Sequence, residues 1–140
     1  ALFHGLEGNS QSHYAVALMA ALQKTGWRGV VIHFRGCTGE INRRPRAYHS
    51  GDSAEIDWIL RRLRQEHPAA LLHAVGVSLG GNALLKWLGE TGAAARELVG
   101  RAAAVSAPVD LMAAGAALDQ PQEFRGGHAG PHTPVHAVLR

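Results

Sequence analysis

Six consecutive residues, Gly76-Val77-Ser78-Leu79-Gly80-Gly81, fit the pattern G-x-S-x-G, in which a sharp strand-to-helix turn holds a serine hydroxyl clear of a sheet. Upstream, His4-Gly5-Leu6-Glu7-Gly8 makes a second glycine-bearing turn. The chemistry these two turns suit is acyl transfer. Serine attack on an ester carbonyl creates an oxyanion that needs two preorganised N–H donors, and removing one such donor costs about 3 kcal/mol of barrier. The backbone N–H groups of Leu6 and Leu79 are the candidate pair, with Gly5, Gly76 and Gly80 shaping the turns. A helix beginning at Leu79 would add the positive end of its dipole.

Other polar residues give weaker signals. The Gly76 to Gly81 turn also suits a phosphate-binding connection, but it lacks both the Lys of a Walker loop and the pattern G-x-G-x-x-G. His128, His132 and His136 recur every four residues, a spacing that would make a metal face on a helix. Gly130, Pro131 and Pro134 break any such helix, so a solvated tail and no metal site are expected. His4 reads as a turn-stabilising residue, and His33 and His73 read as buried, hydrogen-bonded imidazoles within strands. Cys37 has no His or helix N-terminus obviously beside it, which favours a structural thiol.

The elements that must hold the two turns alternate along the chain. Ala1 to Phe3 reads as the end of a strand, which implies that residues preceding Ala1 are missing. Tyr14, Leu18, Ala21 and Leu22 recur at helical spacing from Gln11 to Lys24, with Ser10 or Ser12 as cap and Gly26 as stop. Gly29 to Phe34 is a β-branched, apolar run of the kind covered on both faces of a parallel sheet. Arg35 to Gly51 is a long loop. Asp52 or Ser53 caps a helix to about Glu66, with Ile56, Ile59, Leu60 and Leu63 on one face.

Leu71 to Gly76 is the next strand, followed by a helix from Ser78 to Gly89 or Gly92. A short helix at 94–99, a strand at 101–106 and a helix over 108–118 complete the pattern. Trp58 and Trp87 are assigned to the core and Trp27 to a helix-strand junction. Four strands alternating with helices predict a parallel α/β sheet with right-handed crossovers. Residues 1–119 form this domain. Residues 120–140, rich in Pro, Gly and His, are expected to be an irregular or disordered tail, either natural or produced by a shifted frame or gene-model boundary.

Composition narrows the classes. The chain has 140 residues, 46% apolar and 18% charged, which suits one globular domain. The net charge is +3. The one basic cluster, Arg43, Arg44 and Arg46, lacks the aromatic-lined stripe of a nucleic-acid surface. Cys37 is the only cysteine, excluding an internal disulfide and a Cys-rich zinc site and favouring a cytoplasmic setting. No apolar run reaches the roughly 18 residues of a membrane span. Oligomeric state is not legible.

Five segments together carry a resemblance. They are His4 to Gly8, Phe34-Arg35-Gly36-Cys37-Thr38-Gly39-Glu40, Arg46-Ala47-Tyr48-His49-Ser50-Gly51-Asp52, Gly76 to Asn82, and Ser106-Ala107-Pro108-Val109-Asp110-Leu111. In this order they resemble the YheT-type esterases, the type 4 branch of the AB hydrolase superfamily, over about residues 1–119. The resemblance implies a partial α/β-hydrolase fold, a mostly parallel sheet of about four central strands in the order second, first, third, fourth, with helices on both faces. It implies a serine hydrolase acting on short or medium acyl esters, with acylglycerol and phospholipid hydrolysis among eukaryotic relatives, and with no metal or organic cofactor. Ser78 takes the nucleophile's position, and Leu6 and Leu79 take those of the oxyanion donors. The family's triad acid and general-base His have no matching positions here, and Asp110 matches a residue the family does not use as the acid. The expected protein is therefore a catalytically incomplete hydrolase acting on an ester or lipid; a non-catalytic remnant, a partner-binding module and a phosphate or nucleotide binder are the alternatives.

Overall fold

The computed structural model describes residues 1–40, 42–43, 45–119 and 136–139. Chain order gives β1 (Leu2–Phe3), α1 (His13–Lys24), β2 (Val31–Ile32), α2 (Ser53–Glu66), β3 (His73–Val77) and α3 (Leu79–Thr91). A 3-10 turn at Gly92–Ala94 leads into α4 (Ala95–Leu98), then β4 (Arg101–Val105), α5 (Leu111–Asp119) and β5 (His136–Leu139). The strands are shorter than the apolar runs that signal them. Only Val31 and Ile32 of Gly29 to Phe34 are paired as β2, because β1 beside them is itself two residues long.

The sheet runs β2-β1-β3-β4-β5, and the first four strands are parallel in the order the resemblance implies. β5 lies in the segment read as an irregular tail. It pairs antiparallel with β4, Ala102 opposite Leu139 and Val105 opposite His136, which covers that edge of β4. From β1 the chain first moves to one edge of the sheet, and from β2 onward it moves to the other. Right-handed crossovers therefore put α1 on one face and α2 and α3 on the opposite one.

Most of the core lies under α2 and α3. Ile56, Ile59 and Leu60 of α2 and Ala83, Leu84 and Trp87 of α3 are buried against Phe3, Ala74 and Ala102 of the sheet, and each large apolar side chain so buried stabilises the fold by about 1.5–3 kcal/mol. Trp87 is core as expected, and its indole N–H donates to Asp57 Oδ1 at 3.0 Å. Trp58 is not core, with 67% of its surface exposed. It lies two residues from Ile56, roughly 200° around the helix, which turns it away from the buried face. Trp27 is exposed and stacks on His73 at 5.2 Å. The Nδ1 of His73 is buried without a hydrogen-bond partner among the described residues, contrary to the satisfied imidazole expected there.

The long 35–51 loop is pinned to the start of α2. Arg46 donates to Asp52 Oδ1 at 2.6 Å, and Arg35 lies 3.7 Å from Glu55. Burial, with Asp52 beside it, pushes the Glu55 carboxyl above its ordinary range. Asp52 Oδ2 and Glu55 Oε2 are both buried without a hydrogen-bond partner among the described residues.

Small residues let α3 sit directly on the strands. A Cβ at Gly76 would stand 2.5 Å from the Gly80 carbonyl oxygen, and one at Gly80 would stand 2.4 Å from that of Phe3. Backbone cannot yield as a side-chain tip can, so Gly80→Ala should lower the unfolding free energy by about 3 kcal/mol or more. Gly89, in the same helix with open space around it, should gain about 0.5–1 kcal/mol on substitution by Ala. Urea denaturation of the two variants measures the contrast; equal effects would mean that α3 does not approach β1 as described.

Candidate active site

In a parallel sheet of this order, successive connections leave β1 and β3 in opposite directions, and the crevice between their carboxyl ends is where α/β sheets bind ligands. The two turns singled out by the sequence end those two strands. His4 to Gly8 follows β1, and Ser78 separates β3 from α3.

Ser78 adopts φ 52° and ψ −117°. A non-glycine residue in this region is strained by about 1–3 kcal/mol and persists only where its surroundings over-determine it. Those surroundings are specific. Ser78 N–H donates to Val105 O at 2.9 Å, Asn82 N–H donates to Ser78 O at 3.0 Å, and Asn82 Nδ2 donates to Pro108 O at 2.8 Å. Although Ser78 occupies the N-cap position of α3, its hydroxyl makes no capping hydrogen bond. The oxygen is thus not consumed by the helix it precedes.

Gly5 packs against this serine. A Cβ at position 5 would lie 3.2 Å from Ser78 Cβ and 3.8 Å from its Oγ, so a side chain there would crowd the hydroxyl. The structure thereby brings Gly5, Gly76, Ser78, Leu79 and Gly80 together, with Leu6 following Gly5 and 68% exposed. Among the described residues, the N–H groups of Leu6 and Leu79 make no hydrogen bond within the chain. For Leu79 this follows from helix geometry, since the first N–H groups of a helix have no intrahelical acceptor.

His4 is fully buried and both ring nitrogens are used. Nδ1 lies 2.7 Å from Gly5 O, and Nε2 accepts the Phe34 N–H at 3.0 Å. Only the tautomer with its proton on Nδ1 satisfies both contacts. Burial is the main cause holding its pKa below the ordinary 6.5. This imidazole braces the turn, as the sequence suggested, and is not free to serve as a base for Ser78. His33 is half-buried and its Nε2 accepts the Ser10 N–H.

The remaining candidates fall elsewhere. Asp110 is exposed and caps α5, its Oδ1 accepting the Ala113 N–H at 2.9 Å, which accounts for the carboxylate without catalysis. His128 and His132 lie outside the described residues, and His136 enters β5 through its backbone. Two clefts of about 570 Å³ open at the amino ends of the strands, one beside Arg101 and one beside Leu72, and neither contains a residue of this site. No group of three metal-ligating side chains occurs among the described residues. Sequence reasoning missed Tyr14 and Tyr48, whose hydroxyls hold the 4–8 turn. The available signal was a tyrosine in the otherwise apolar face of α1 and another inside the Arg46 to Asp52 segment.

Between its depressed folded pKa and 6.5, His4 binds fewer protons in the folded chain than in the unfolded one. Its contribution to stability is therefore complete above pH 6.5 and is lost as pH falls through that window. Urea midpoints should drop between pH 7.5 and pH 5.5, and imidazole ¹⁵N spectra should show the proton on Nδ1. An imidazole at position 4 that titrates above 6.5 would contradict this bracing role.

Comparison with known proteins agrees with the fold. YheT of Escherichia coli (strain K12), which carries an esterase name, is 51% identical over 113 residues, covering 80% of this chain and 32% of that protein. The human phospholipase ABHD3 is 33% identical over 91 residues, 65% of this chain and 22% of its own length. The human monoacylglycerol lipase ABHD2 is 32% identical over 88 residues, 62% and 21% respectively. The chain thus spans between about a fifth and a third of the length of these relatives. No solved structure matches it. The sequence profile of the alpha/beta hydrolase fold matches residues 2–135, and with the sheet order and the strand-turn-helix geometry at Ser78 described above, the chain belongs to the alpha/beta hydrolase family.

Proposed function

We propose that this chain carries the nucleophile and oxyanion half of a carboxylic-ester hydrolase of the acylglycerol or phospholipid type. Ser78 is the nucleophile, and Leu6 and Leu79 supply the oxyanion donors. The observation that carries this reading is the positive-φ serine at the β3–α3 turn, its hydroxyl uncapped, with the Gly5 backbone packed on its Cβ. The esterase and lipase names of the relatives support the substrate class.

In the proposed reaction, Ser78 Oγ attacks the acyl carbon while its proton passes to a general base. The carbonyl electrons collect on an oxyanion held by the two N–H groups. Collapse expels the alcohol, which takes the proton. Water then repeats the sequence on the acyl-serine and releases the carboxylic acid. No metal or organic cofactor enters any step. His4 is engaged elsewhere, the family's general-base His has no matching position here, and a serine without its base is a poor nucleophile. Turnover by this chain alone is accordingly weak or absent. No described helix is long and apolar enough to cross a membrane.

The test is p-nitrophenyl butyrate hydrolysis and fluorophosphonate labelling of the chain and its Ser78→Ala variant. Slow labelling that disappears with Ser78→Ala, accompanied by little or no ester turnover, is the expected result. Folded protein that is never labelled, or labelling that survives the substitution, would sink the assignment.

A further inference from the structure

The turn that carries Leu6 is held from both sides. Gly8 N–H donates to Gly5 O at 3.1 Å, closing a four-residue turn in which Glu7 takes the left-handed φ of 53°. The N–H before Leu6, that of Gly5, donates to the Tyr14 hydroxyl at 3.0 Å. The N–H after it, that of Glu7, donates to the Tyr48 hydroxyl at 2.8 Å. The two tyrosines come from separate elements, α1 and the long 35–51 loop. Their hydroxyls grip alternate peptides of one turn, and the Leu6 N–H between them is left without a partner among the described residues.

Each tyrosine is itself positioned. A Cβ at Gly8 would lie 2.6 Å from the Tyr14 hydroxyl, so that phenol reaches the turn only because position 8 has no side chain. The Tyr48 ring stacks on Phe34 at 5.2 Å with 3° between the planes, and Phe34 in turn meets His4 edge-on at 4.9 Å. A phenol is also the right acceptor chemically. A carboxylate in either place would satisfy the same N–H but would repel a negative charge developing beside Leu6, whereas a neutral hydroxyl adds no net charge. Burial raises the Tyr48 pKa further above its ordinary value of 10.0, keeping the phenol neutral.

We propose that Tyr14 and Tyr48 are positioning residues for the oxyanion donor, their hydroxyls fixing the peptides on either side of Leu6 so that its N–H stays aimed at the carbonyl oxygen of a substrate on Ser78. The inference rests on the assignment of Ser78 and Leu6 above and adds two residues that the reaction does not touch. Donor placement governs the rate of forming the tetrahedral species rather than the initial binding of reagent, and that difference makes the role measurable.

Tyr14→Phe and Tyr48→Phe delete one oxygen each and keep the rings. Fluorophosphonate inactivation should show the maximal rate constant, kinact, falling about 10- to 100-fold in each variant, with the reagent's apparent affinity, KI, within about twofold of the parent. Amide hydrogen exchange at Gly5 in the first variant and Glu7 in the second should quicken. A purely structural role would instead lower the melting temperature and weaken KI without a selective loss of kinact. Labelling of both variants at the parental rate, in protein whose parent is labelled at Ser78, would overturn the positioning role and leave the nucleophile assignment standing. Absence of Ser78-dependent labelling in the parent would remove the assignment itself and this inference with it.

Discussion

Close approach of backbone to backbone between the end of β1 and the start of α3 is the constraint on which the rest of this molecule depends. Gly80 meets the carbonyl oxygens of Phe3 and His4 where any Cβ would stand within about 2.5 Å of both, and a Cβ at Gly5 would stand 3.2 Å from that of Ser78. A methyl group at Gly80 would push the helix away from the strand. With that spacing lost, the turn that carries Leu6 and the start of α3 at Leu79 would no longer lie side by side. The glycines thus set a distance that no polar interaction could impose.

The strain at Ser78 is balanced by ordinary interactions around it. Its N–H is tied to β4, and Asn82 ties the start of α3 to the loop after β4. On the other side of the crevice, His4 braces its turn through a neutral imidazole that joins the end of β1 to the end of the β2 segment. Three non-glycine residues with positive φ, Glu7, Ser78 and Ser106, all follow the carboxyl ends of neighbouring strands. Strain is concentrated at the carboxyl end of the sheet, and the apolar packing of α2 and α3 on the strands offsets it.

The sequence was most legible where a physical requirement forces a residue type. Gly76, Gly80 and Gly5 are forced by contact distance, and the strand-turn-helix pattern around Ser78 follows from alternation of apolar runs. Sheet order came from the resemblance to a known fold, since alternation of strands and helices establishes a parallel sheet but not which strands are neighbours. Trp58 was misassigned because the bulk of its ring outweighed its angular position on α2. The Tyr14 and Tyr48 contacts were not legible at all, since a hydroxyl meeting a backbone N–H over 9 or 41 residues leaves no periodic trace. β5 was hidden by the Pro- and Gly-rich composition around it, although His136–Leu139 itself is mostly apolar.

The central claim is that one oxygen can be reached at once by Leu6 N–H, Leu79 N–H and a covalent bond to Ser78. A crystal structure of the chain after reaction with a fluorophosphonate tests this directly. Phosphorus should be bonded to Ser78 Oγ, with the phosphoryl oxygen about 2.7–3.1 Å from both backbone nitrogens. An adduct on Ser78 whose phosphoryl oxygen points to solvent, or an adduct on another residue, would contradict it.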